Sequence, residues 1–178
     1  MALLSVRAGV AGDDAACVAR LVNAAYARGE EGMWVPGTAR PSEDEVRALL
    51  GAGRLVLALD GRGAVVGSAN LYVGGEAFGR GVAEFGMLAV AEHALGHGVG
   101  RTLLRECQAR AKAAGCTTLR LEILHPSGWQ HPAKTRLEAW YRREGFLPSA
   151  TEDFGRMFPH LQSSLACDCS FTVYLKQL

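Results

Sequence analysis

The sequence predicts an α/β or α+β fold with a mixed sheet, and three observations carry that prediction. Alternating apolar residues mark several short strands, four-residue apolar spacing marks the helices between them, and glycine or capping chemistry separates the two. In chain order the elements read strand, two helices, three strands, helix, strand, helix and terminal strand.

Leu3 to Arg7 forms the first strand, and the absence of a basic run before it argues against a signal peptide. Val18, Leu21, Val22 and Ala25 then share a helical face, and that helix ends near Gly29. Glu30 to Arg40 holds two glycines and a proline, together with the exposed-looking pair Met33 and Trp34, and reads as a loop. Ser42 and Glu45 match a capping box, so a short helix runs from there to about Leu50. Leu55–Leu59 and Ala64–Val73 flank Asp60-Gly61-Arg62-Gly63, which is hairpin chemistry. After a connection containing Gly74, Gly75, Gly79 and Gly81, a strand spans about Val82 to Val90. From Gly98 the pattern is helical, with Val99, Leu103, Cys107 and Ala111 on one stripe and Gly115 as the stop. Thr117–Leu124 alternates as a half-buried strand, a helix runs from about Ala133 to Glu144, and Cys169–Leu175 is the last strand.

Composition narrows the function. With 178 residues and no linker or repeat, residues 1–178 are expected to form one domain. Lys and Arg number 19 against 18 for Asp and Glu, a formal charge of +1, which argues against a broad nucleic-acid surface. Apolar runs fall short of the ~18 residues a membrane helix needs, so no span and a cytoplasmic location are expected. Five cysteines without CxxC pairs suit reduced thiols, and no metal site is expected. Cys167 and Cys169 should point to one face as packed thiols.

The chemistry concentrates in Glu84-Phe85-Gly86-Met87-Leu88-Ala89-Val90 followed by Gly96-His97-Gly98-Val99-Gly100-Arg101-Thr102. A strand, a glycine turn and a helix start let backbone approach a ligand closely, and the first helix amides attract a pyrophosphate. A tight connection without ligand is the plainer reading of such a turn taken alone. No GxxxxGK[ST] is present, and a dinucleotide-binding reading, with Glu122 as ribose partner, fits poorly with the preceding hairpin.

These residues resemble the GNAT superfamily of acyl-CoA-dependent N-acetyltransferases, whose R/Q-x-x-G-x-G/A turn corresponds to Leu95-Gly96-His97-Gly98-Val99-Gly100. Leu95 stands where relatives carry Arg or Gln. About forty residues on, Ala139-Trp140-Tyr141-Arg142-Arg143-Glu144-Gly145-Phe146 is similar to the family's tyrosine helix, with Lys134 where many relatives have Asn. The resemblance implies a largely antiparallel mixed sheet flanked by helices, and acetyl-CoA as cosubstrate. Leu88, Ala89 and Val90 would hold the pantetheine arm, with the Val90 amide on the thioester carbonyl. Gly96, His97, Gly98, Val99, Gly100, Arg101 and Thr102 would form the pyrophosphate cradle, and Tyr141 would be the general acid.

The resemblance also suggests Glu84 as a base, on the same strand face as Val90 if no bulge intervenes. A solvated charge is the alternative for Glu84, and a packed aromatic is the alternative for Tyr141. His125 and His131, placed just after the fifth strand, are runner-up bases. The acceptor is expected to be a small-molecule or peptide amine met by Glu30, Glu31, Trp34 and Trp129. The glutamates read equally as surface charges and the tryptophans as core anchors. A non-catalytic acyl-CoA-binding sensor or interaction module is the competing reading, and a homodimer is left open.

Overall fold

The computed structural model describes residues 4–38, 40–74 and 78–178, which pack as two compact units. The first comprises 1–26, 39–119 and 178, and the second comprises 27–38 and 120–177. Leu3 and Gly75, named above in a strand and a connection, lie outside the described residues.

In the first unit, β1 (Ser5–Ala8), β2 (Leu55–Leu59), β3 (Val65–Val73) and β4 (Val82–Val90) are hydrogen-bonded in that order, each antiparallel to the next. Among the described residues the first strand begins at Ser5 and extends to Ala8, one residue past its expected end. Helix α1 (Ala15–Gly29) and α2 (Glu43–Gly51) lay Val18, Val22, Val46 and Leu50 against Leu55, Leu57 and Ala89. The Ser42–Glu45 capping box is fully formed, with each side chain meeting the other residue's backbone amide. Helix α3 (Val99–Ala113) packs on the opposite sheet face through the expected stripe of Val99, Leu103, Cys107 and Ala111. Gly67 makes that approach close, because a Cβ there would lie 2.7 Å from Val99 Cγ1 and 3.0 Å from Leu103 Cδ1.

The second unit contains most of β5 (Thr118–Pro126), then α4 (Pro132–Arg143), β6 (Leu147–Asp153), the short α5 (Phe154–Met157) and β7 (Cys169–Gln177). Its strands are ordered β5-β7-β6, with β6 and β7 antiparallel. Met33, Leu124, Phe154 and Cys169 form its core, with Trp34, Phe158 and Phe171 packed around them. Met33 is thus wholly buried, contrary to its exposed-looking sequence context, because the loop folds inward against β5 and β7. The sequence reading also missed β6 and α5. Six of the seven β6 residues are exposed, so no apolar alternation marks a strand whose backbone is held by β7.

Gly67→Ala should overpack the α3 face and lower stability by about 1–3 kcal/mol, measured by urea denaturation. Unchanged stability would mean that α3 shifts away freely.

Candidate functional site

The first unit builds a cradle at the end of β4 and the start of α3. Gly67 and Ser68 pair with Val90 and Ala89, but Asn70 pairs with Gly86, so β4 carries one extra residue across that interval. Met87 absorbs it at φ 48°, the one positive φ of a non-glycine residue among those described. Opposed residues share a face, so Glu84 (opposite Tyr72) and Val90 (opposite Gly67) lie on opposite faces. The bulge that the same-face expectation excluded is present, and that expectation is corrected. The Glu84 carboxylate leans towards the bulge, 4.0 Å from where a Cβ on Gly86 would stand. Ser68 Oγ and Asn70 Oδ1, also on that face, are buried without hydrogen-bond partners, a cost of about 1–3 kcal/mol each.

Beyond the bulge, the Ala91 amide donates to the Val66 carbonyl at 2.9 Å. Ladder alternation then turns the Val90 amide away from β3. A 3-10 turn over Glu92–Ala94 leads to exposed Leu95, then to Gly96 at φ 78° and Gly98 at φ 83°. Gly98 caps α3 with no side-chain bond, and a Cβ on either glycine would meet nothing within 4 Å. The first turn of α3 has no preceding carbonyls to take its amides, so this end carries partial positive charge towards open space. His97, Arg101 and Thr102 are exposed around it, whereas Val99 and Ala89 are buried in the scaffold. Gly100 backs onto Leu88 and Val90, its would-be Cβ 3.9 and 3.8 Å from them, and ties the helix start to the strand end. The cradle residues are therefore brought together, and the space open at Gly96 and Gly98 fits a pyrophosphate.

The second unit gathers the other candidates. Trp34 Nε1 donates to Glu30 Oε2 at 2.7 Å, and Lys134 Nζ donates to Glu30 Oε1 at 2.7 Å, with Glu30 and Lys134 both buried. The His131 ring accepts from the Ala133 amide at Nδ1 (3.1 Å), which leaves Nε2 to donate to the Glu31 carbonyl at 3.2 Å. Both ring nitrogens of His131 are thereby engaged in capping α4 and holding the loop, which removes it as a runner-up base. Exposed Trp129 stacks near His131, with ring centroids 5.2 Å apart, and reaches over Gly32. Glu30, Glu31, Trp34 and Trp129 thus share one patch, with Glu31 and Trp129 at its surface.

His125 lies within β5, because that strand runs two residues past its expected end. Burial lowers its pKa, with Lys134 adding to the effect against Glu138, so it is neutral at pH 7. Tyr141 is buried on α4, its ring 4.7 Å from that of Trp140 and 5.5 Å from that of Phe146. The Glu30–Lys134 pair spans 104 residues of chain, and no local pattern announces it.

A family model for the acetyltransferase (GNAT) family matches residues 21–146. The chain belongs to the GNAT acetyltransferase family. Solved structures share its fold along its whole length. A GCN5-related N-acetyltransferase from Kribbella flavida is 21% identical, with 98% of each chain covered and a TM-score of 0.69. The ribosomal-protein-alanine N-acetyltransferase of Brucella melitensis is 20% identical, covering 98% of this chain and 99% of that one at a TM-score of 0.70. A third, yncA from Salmonella typhimurium with its cofactor acetyl-CoA, is 20% identical at a TM-score of 0.70, covering 99% and 94%. No curated relative matches the sequence. The expected α+β architecture with its mixed sheet and flanking helices is that of this GNAT fold. No helix among the described residues is long and apolar enough to cross a membrane.

Lys134→Met should leave the Glu30 carboxylate buried without its ammonium partner and cost about 3 kcal/mol in denaturant unfolding. Adding Glu30→Gln should recover part of the loss, and additive losses would show that the pair is uncoupled.

Proposed function

We propose that the two units form one N-acetyltransferase domain that transfers acetyl from acetyl-CoA to a primary amine by direct attack in a ternary complex. The observation that carries this is the bulged end of β4 meeting a glycine-built helix start, with nothing within 4 Å of where a Cβ on Gly96 or Gly98 would stand. Acetyl-CoA, when bound, supplies an activated thioester. Amides from Gly96 to Arg101 would hold its pyrophosphate, whereas the expectation for the Thr102 amide is corrected, because it donates to the Gly98 carbonyl at 2.9 Å. Leu88 to Val90 would hold the pantetheine arm, with the Val90 amide on the thioester carbonyl. Tyr141, from the second unit, would give the departing sulfur its proton, and Glu84 would take the proton of the amine. Support for direct attack comes from Cys107, whose thiol is pushed up to about 12 by burial and is poorly suited to carry an acyl group. The patch of Glu31, Trp34 and Trp129 offers a carboxylate and aromatic faces to a cationic acceptor, while Glu30 orients Trp34 and Lys134. Five free thiols suit a reducing compartment, and the cytoplasm is the proposed location.

The test is a screen of amines and peptides for release of free coenzyme A. Turnover supports the enzyme, whereas tight coenzyme A binding with no turnover would support the non-catalytic module. Gly98→Asp and Gly98→Asn pair well here, since both residues tolerate positive φ better than other side chains and differ in charge. The Asp variant should bind coenzyme A about tenfold more weakly than the Asn variant, and equal affinities would place the phosphates elsewhere.

Tyr141→Phe should slow single-turnover acetyl transfer by about 10²–10⁴-fold with coenzyme A affinity retained. Normal chemistry in this variant would make Tyr141 a packing residue beside Trp140 and Phe146.

A further inference from the structure

The turn flanked by Cys167 and Cys169 is tied to both stretches proposed to meet the acceptor. Ala166 donates its amide to the Met33 carbonyl at 3.0 Å, and Val35 donates to the Ser164 carbonyl at 2.9 Å. On the other side, the Ser127 amide donates to the Asp168 carbonyl at 2.8 Å. Residues 164–168 therefore hold the loop carrying Glu31 and Trp34 and the segment carrying Trp129 by main-chain bonds, and any movement of this turn reaches both.

The two sulfurs stand on either side of Asp168 at 3.8 Å, and the Cys169 thiol donates to the Cys167 carbonyl at 3.5 Å. Cys169 is buried, whereas Cys167 is partly exposed, and both border an open cavity of about 760 Å³ that Ser127 and Asp168 also line. One sulfur is thus reachable from solvent with the second already in contact behind it. That is the arrangement of an attacking and a resolving thiol.

We propose that Cys167 and Cys169 are a modification site at which exchange with a small-molecule disulfide closes a reversible intramolecular disulfide and resets the turn that holds both acceptor loops. The Cys167 thiolate attacks one sulfur of the incoming disulfide, which breaks its S–S bond and expels one thiolate that leaves as a thiol after protonation. Cys169, deprotonated, then attacks the Cys167 sulfur of the mixed disulfide and expels the second thiolate, which is protonated in turn. Two electrons pass from the protein thiols to the incoming disulfide, which leaves as two thiols. Burial and the Cys167 contact push the Cys169 thiol up, so Cys167 attacks first. Closure must shorten the 3.8 Å sulfur separation to about 2.05 Å across a single intervening residue, which pulls on the 166–168 backbone. A ring this small is strained, and strained disulfides are the readily reduced, regulatory ones.

The loop effect on catalysis rests on the acetyltransferase reading above, whereas the thiol chemistry does not. The reduced full chain would be incubated with excess oxidised glutathione, quenched in acid, alkylated and digested. The peptide 157–176, which carries both cysteines, should lack both alkyl groups and recover them after dithiothreitol, while Cys17 alkylates as before. In Cys169→Ser a glutathione adduct should persist on Cys167. Both cysteines remaining alkylatable, or a stable glutathione adduct on Cys167 in the unsubstituted chain, would overturn the site. Hydrogen exchange in 31–35 and 127–131 should change on oxidation, and identical exchange in both states would overturn the coupling to the loops. If the screen finds an acceptor, its KM should change on oxidation with coenzyme A affinity constant. If it finds none, the acetyltransferase reading fails while the peptide map and the exchange data still decide this one.

Discussion

Between Gly86 and Ala89, β4 carries one residue more than the strand it pairs with, and Met87 takes up the mismatch with a backbone conformation that most side chains avoid. The site depends on that irregularity. Before it, Glu84 stands on the face where α1 and α2 pack. After it, Leu88 and Val90 stand on the face of α3, where Gly100 closes against them. A regular strand would have placed Glu84 and Val90 on one face, with the helix start and the carboxylate competing for the same ground. The extra residue lets one strand present its proposed backbone cradle on one face and the Glu84 carboxylate on the other.

The second unit is organised around a different constraint. A carboxylate as buried as Glu30 requires partners, and those it has include two that differ in kind, the indole N–H of Trp34 and the ammonium of Lys134. These bonds add to the main-chain bonds that tie the loop to Ser164 and Ala166, and they orient Trp34 into the aromatic cluster of Phe154. The neighbouring His131 adds a cap to α4 and a bond to the Glu31 carbonyl, so one helix start anchors the loop twice.

The parts of the fold legible in the sequence are those written in local periodicity or local chemistry. The α3 stripe, the Ser42–Glu45 box, the 55–73 hairpin and the glycine turn all concern residues a few positions apart. Met33 was misread because its burial comes from Leu124 and Cys169, which no local pattern brings near. His125 fell outside its strand because polar residues at a strand end look like loop, and β6 was missed because its pairing uses backbone alone. Lys134 was visible as a departure from the family pattern, yet its partner a hundred residues earlier was not. The bulge was foreseen only as a condition, since one extra residue in a strand leaves no mark in a list of side chains.

That division explains why a chain about 20% identical to its structural neighbours still presents the cradle. The proposed pyrophosphate recognition by amides asks for φ angles and free space, which Gly96 and Gly98 supply, so an exposed Leu95 in place of a basic or amide side chain leaves the proposed cradle open. Acceptor recognition has the opposite requirement. The side chains proposed for it, Glu31, Trp34 and Trp129, sit on two connecting segments, those of 30–38 and 127–131, whose geometry is set by long-range bonds. In the proposed site, cofactor contacts are therefore made by backbone, which sequence change leaves alone, and acceptor contacts by side chains, which sequence change rewrites.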